Sequence, residues 1–179
     1  MSDPVDGPGT WVLLSYRVPR EPSTPRIAVW RKLKRLGVAQ LGDGLVGLPA
    51  DARTREQLEW IAEDVADAGG TAGVWLARPT TQAQERQLAA SMAAARAAEY
   101  TAVHDEALAA GALPPSQRSS ALRRLRSELR RVNRRDYFPP PERDRARAAV
   151  EALARQPDIR PDTRRPDVDP HTAVTKESS

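Results

Sequence analysis

The feature that most constrains the fold is the punctuation of residues 10–79. Short apolar runs and helical periods alternate there, and each is closed by its own proline or glycine. Trp11, Val12, Leu13 and Leu14 open a strand that runs through Tyr16 to Val18 and is stopped by Pro19. Ser23, Thr24 and Pro25 then offer hydroxyl caps and a first-turn proline, so a helix is expected from there. Ile27, Trp30, Leu33 and Leu36 recur at helical spacing, and Gly37 closes that helix. Residues 38–41 and 45–48 flank the turn Gly42-Asp43-Gly44 and read as a hairpin ended by Pro49. A second helix is expected from about Thr54, which has capping-box spacing to Gln57. Its apolar face is Leu58, Ile61, Ala62 and Val65, and Gly69-Gly70 stops it before a strand at 71–77. The order β-α-β-β-α-β predicts an α+β, ferredoxin-like domain at residues 10–79, a four-stranded antiparallel sheet with both helices on one face.

Beyond Pro79 the texture changes. Residues 80–155 read as a helical extension: a long alanine-rich helix ended by Gly111, a second at about 116–133, and a third after Pro139-Pro140-Pro141. Residues 156–179 are rich in proline and charge with no apolar period, and are expected to be a disordered tail. The N-terminus shows no signal-peptide pattern and no apolar run approaches membrane-spanning length, so a cytoplasmic protein without a membrane partner is expected. With no cysteine, disulfides, thiolate metal sites and a cysteine nucleophile are excluded together.

The net charge of +4 is modest, so its placement decides what it means. Arg118, Arg123, Arg124, Arg126, Arg130, Arg131, Arg134 and Arg135 crowd one helix and its end, opposed within it by Glu128 alone. Leu122, Leu125, Leu129 and Val132 form the apolar stripe of that helix, which leaves the arginines on the other faces. Arg123, Arg124, Arg130, Arg131, Arg134 and Arg135 are therefore candidates to meet DNA phosphates, with Arg126 and Arg118 behind them. The competing reading is a solvated face paired with acids such as Glu142, Asp144 and Glu151. Arg26, Arg31, Lys32, Lys34 and Arg35 form a second basic cluster on the first helix, which could extend the same surface or be an ordinary solvated face. The four tryptophans, Trp11, Trp30, Trp60 and Trp75, are expected in the core. Tyr137 and Phe138 are expected to lock the turn before the last helix.

Catalytic signals are weak. His104 and His171 lack ligand-spaced partners, Gly42-Asp43-Gly44 is a turn and not a phosphate loop, and the first strand ends Ser15-Tyr16-Arg17 without a carboxylate. No metal, no cofactor and no enzyme activity are expected.

One resemblance carries further. Leu13-Leu14-Ser15-Tyr16, Arg20-Glu21-Pro22-Ser23 and the run from Ala28 to Gly37 resemble the N-terminal region of the ChrB family of bacterial chromate-resistance regulators, and Ala98-Glu99-Tyr100 and Arg135-Asp136-Tyr137-Phe138 are similar to it too. The resemblance implies a ferredoxin-like domain with appended helices in a chromate-responsive, DNA-binding transcriptional repressor. The arginines also suit chromate or another oxyanion as effector, and the exposed face or edges of the small sheet are expected to support a homodimer. Members of that family also carry a C-terminal chromate-resistance domain, where this chain has its polar tail. The alternative function is a non-enzymatic interaction module that docks on a second copy or an acidic partner without specific DNA binding.

Overall fold

The computed structural model describes residues 9–156. Past Gln156, the expected disordered tail lies outside the described residues. Nine elements follow in order: β1 (Trp11–Arg17), α1 (Ser23–Leu36), β2 (Ala39–Gly42), β3 (Leu45–Pro49), α2 (Ala52–Asp67), β4 (Thr71–Ala77), α3 (Gln82–Ala110), α4 (Pro115–Asn133) and α5 (Glu142–Arg155). The sheet order is β2-β3-β1-β4, and every pairing is antiparallel. This is the ferredoxin-like arrangement: each β-α-β unit leaves a gap that a strand of the other unit fills.

Local chemistry sets the boundaries. Pro22 is the N-cap of α1, and no side chain caps that end, so the hydroxyl caps expected from Ser23 and Thr24 do not form. Gly37 ends the helix at φ 71°, where its N–H reaches the carbonyls of Leu33 and Lys34. That left-handed backbone favours glycine, and a Cβ there would also strike the Arg96 guanidinium. In α2 the capping box is formed by Asp51 and Thr54 and not by Thr54 and Gln57, which starts the helix at Ala52. The Thr54 amide donates to Asp51 Oδ1 at 2.6 Å, and the Asp51 amide donates to Thr54 Oγ1 at 2.9 Å. The Thr54 hydroxyl also donates to the Pro49 carbonyl at 2.7 Å, which accounts for a threonine in the core.

Val12, Leu14, Val46 and Leu48 of the sheet join Val29, Leu33, Leu58, Ile61 and Val65 of α1 and α2 in one buried cluster. The other face of the sheet is partly covered. Leu13 and Leu41 close over Gly47, and Leu88 and Met92 of α3 pack against the same cluster. A second cluster holds the three long helices together through Tyr100, Val103, Leu125, Val132, Val150, Leu153 and several alanines. On α4, Leu125 and Val132 are fully buried while Leu122 and Leu129 are half-buried, as the apolar stripe requires.

The tryptophan expectation holds only for Trp11, which is 1 % exposed. Trp30, Trp60 and Trp75 are 52 %, 57 % and 60 % exposed. On α1 the cause is a small rotation: the buried stripe is Val29 and Leu33, which leaves Ile27 and Trp30 outward. Either stripe satisfies helical spacing, and the narrower residues face the sheet. Trp75 lies on edge strand β4, which has a neighbour on one side only.

The turn between α4 and α5 joins the two halves. Phe138 stacks on Trp11 with ring centroids 6.1 Å apart, and Tyr137 donates its hydroxyl proton to the Leu36 carbonyl at 3.3 Å. These residues anchor the turn onto the first domain as well as shaping it.

Candidate nucleic-acid interface

Helix α4 sorts its arginines by direction. With Leu125 and Val132 pointing into the bundle, positions 123, 130 and 134 point away from it and 126 leans toward α5. Positions 124 and 131 flank the helix on the side of α3. Arg123, Arg124, Arg126, Arg130, Arg131 and Arg134 are all exposed. Arg124 is paired with Glu106 of α3, and Arg131 with Glu128 one turn earlier. Arg123 donates to Ser120 Oγ at 3.1 Å.

Arg135 has a different position. It is paired with Glu99, which also holds Arg96 at 2.8 Å, and it donates to the Lys34 carbonyl at 3.1 Å. Its side chain is 15 % exposed, so the guanidinium joins α1, α3 and the end of α4.

A cleft of about 490 Å³ lies between α4 and α5, lined by Arg126, Arg130 and Asn133 on one side and Arg143 and Arg147 on the other. Tyr100 lines its inner end. Its hydroxyl donates to Asp136 Oδ2 at 2.9 Å, and the Asp136 side chain is fully shielded from solvent. Burial, and then the Asp136 carboxylate, push the Tyr100 phenol far above its ordinary value, so it stays a neutral donor committed to that bond. Arg143 leans toward Asp136 and Asp144 at 3.9 and 3.8 Å. Among the described residues, Arg126, Arg130, Arg134 and Arg147 have no acidic partner. Guanidinium groups gathered without counter-charge create a positive potential that an anion relieves, and each presents a planar fork suited to phosphate.

The sequence reading missed part of this cleft. Arg143 and Arg147 were not singled out, and Arg126 was held in reserve. The signal was present in the spacing, since Arg126 and Arg130 are four apart on α4 and Arg143 and Arg147 four apart on α5. Among the described residues, Glu142 pairs with Arg145 on its own helix, and the acids paired with α4 arginines are Glu106 of α3 and Glu128 of α4 itself. The α1 cluster does not line the cleft. Lys32 pairs with Asp64 of α2, Lys34 lies over the Trp30 ring at 4.6 Å, and Arg31 and Arg35 are exposed. His104 contacts Asp105 at 2.9 Å, and no cluster of metal-ligating side chains occurs among the described residues.

Residues 26–109 match the family described as "Protein ChrB, N-terminal". Over this segment the chain is similar to the ChrB family. The chain is also 35 % identical over 95 residues to the protein named "Protein ChrB" of Cupriavidus metallidurans, a match that takes in 53 % of this chain and 26 % of that protein. The chain therefore matches about a quarter of the length of that relative. No solved structure matches it. The ChrB segment runs from α1 to the end of α3, so the arginine cleft between α4 and α5 is built beyond it. No helix among the described residues is long and apolar enough to cross a membrane.

Proposed function

We propose that this chain is a non-enzymatic, cytoplasmic DNA-binding regulator of the chromate-resistance type, which grips backbone phosphates through α4 and α5. The observation that carries the reading is the convergence of Arg126, Arg130, Arg143 and Arg147 on one cleft, with Arg123 exposed on α4 and Arg134 exposed at its C-terminal end. Similarity to the ChrB family supports the chromate-resistance setting. Contacts of this kind position a protein on DNA and make its affinity fall with salt, by roughly 0.9 in log–log slope per phosphate neutralised. A homodimer would double this basic surface, and the unpaired edge of β4 offers a self-complementary seam for it.

The test is binding of the chain to its own upstream DNA and to a scrambled duplex across a salt series, with and without chromate. Preferential binding upstream, a steep salt slope and release by chromate support the regulator. Replacing Arg126 and Arg130 by Ala lowers the slope by about 2. Equal, weak binding to both duplexes sinks the reading in favour of an interaction module for an acidic partner. The pairing of Arg124 and of Arg135, just past the end of α4, with acids of α3 is the observation that favours that second reading.

A further inference from the structure

We propose that the ferredoxin-like domain carries a second, separate site, a track for single-stranded nucleic acid that runs around one end of the sheet between Trp30 and Trp75. Two grooves meet there. One, of about 460 Å³, is lined by Tyr16, Val18, Ile27 and Trp30, with Arg26 and Arg31 beside them. The other, of about 400 Å³, lies along Ser15, Arg17, Gly73 and Trp75. Tyr16 and Gly44 line both, so the two grooves adjoin. Their lining contains three arginines and no carboxylate, although Asp43 is exposed in the adjoining turn. Arg17, Arg26 and Arg31 have no acidic partner among the described residues.

The two indoles are half exposed yet held in place. Lys34 sits over one face of Trp30. Trp75 donates its indole N–H to Ser15 Oγ at 3.0 Å, and its ring lies against Gly73, where a Cβ would stand 3.0 to 3.3 Å from it. Gly73 thus lets the ring lie close to the strand. Aromatic faces that are fixed, exposed and set among unpaired cations match a strand whose bases are free to stack and whose phosphates are spaced along it. Duplex DNA has its bases already stacked on one another and cannot use the indoles. An acidic peptide would satisfy the arginines but leave both indole faces without a planar partner. The track does not depend on the α4–α5 cleft, which lies in the other half of the molecule.

The experiment titrates the full chain with a fluorescein-labelled twelve-residue oligothymidylate, read by anisotropy and by quenching of tryptophan emission. The expected result is binding with quenching, weakened at least tenfold in Kd by Trp30→Ala and by Trp75→Ala. Both side chains are exposed, so the variants keep the fold, and circular dichroism checks this. Arg126→Glu with Arg130→Glu is expected to abolish duplex binding while leaving oligothymidylate affinity within about twofold, which separates this site from the cleft whether or not the duplex reading survives. Oligothymidylate binding unchanged by both tryptophan variants overturns the proposal. Displacement of the oligonucleotide by polyglutamate at equal charge would also overturn it and assign the groove to an acidic chain.

Discussion

The two halves of the molecule bury different materials. The buried cluster of the ferredoxin-like half is made of branched and aromatic side chains, with Ala39 as its one alanine and Met92 added from α3, whereas four of the ten buried residues in the helical cluster are alanines. Alanine lets helices approach closely but removes little apolar area from water per residue. The first half can thus rest on its sheet, while the second depends on polar contacts and on its attachment to the first. Those contacts are in place: Arg135 and Arg96 on Glu99, Tyr100 on Asp136, and Phe138 on Trp11. On the surface the exposed tryptophans all stand on the first half, while arginines without an acidic partner among the described residues occur on both halves.

The sharpest way to break this comparison is at Trp11, which belongs to the first core and stacks on the turn of the second half. Trp11→Ala is expected to cost about 3–5 kcal/mol, in the range for deleting a large buried aromatic. Two unfolding transitions in place of one, followed by circular dichroism and by quenching of the remaining tryptophans, would show that this contact couples the halves. A single transition at a lower midpoint would place the coupling in the Glu99 seam instead.

A smaller effect is expected from Tyr100→Phe, which leaves the buried Asp136 carboxylate without its phenol donor. The loss is about 1–3 kcal/mol for a buried acceptor left unsatisfied. The pH dependence has a definite sign. Tyr100, Tyr16 and Tyr137 all have phenols raised by burial, so the folded state holds protons that the unfolded state releases near pH 10. Their contribution is fully present below pH 10 and is lost as pH climbs toward the folded values. Stability should therefore fall with alkalinity, and Tyr100→Phe should flatten that fall. An alkaline melting series that is equally steep in the variant would remove Tyr100 from the account.

Much of this was legible in the sequence because the relevant signals are local. Each strand and helix of the first half is stopped by a residue that cannot continue it, such as Pro19, Gly37 or Pro49, and the order of elements leaves little freedom in topology. The apolar stripe of α4 was legible for the same reason. What was not legible depends on tertiary direction. Helical spacing fits both Ile27-Trp30-Leu33 and Val29-Leu33, and only the packing on the sheet selects the second, which turns Trp30 outward. Asp51 caps α2 because it precedes the first turn, a role that the spacing from Thr54 to Gln57 obscured. The cleft needs α5 laid beside α4, and no single-helix pattern states that Arg147 will face Arg130.

The smallest effect is the most discriminating one for the arginine helix, because Arg124 and Arg135 look alike in sequence and differ in place. The Arg124 guanidinium is fully exposed and its pair with Glu106 is screened by water, so Arg124→Ala should leave the unfolding midpoint unchanged. Arg135→Ala removes a largely shielded guanidinium from Glu99 and from the Lys34 carbonyl, and should lower the midpoint measurably. Their effects on DNA should run the other way. Arg124 can leave Glu106 for a phosphate at little cost, so its loss should reduce the salt slope by about 1, while Arg135 is held in the fold and its loss should leave the slope unaltered. Equal effects of the two substitutions on both measurements would mean that α4 acts as an undifferentiated basic rod. Opposite effects would show that one helix devotes its inner arginines to joining the two halves and its outer ones to a polyanion.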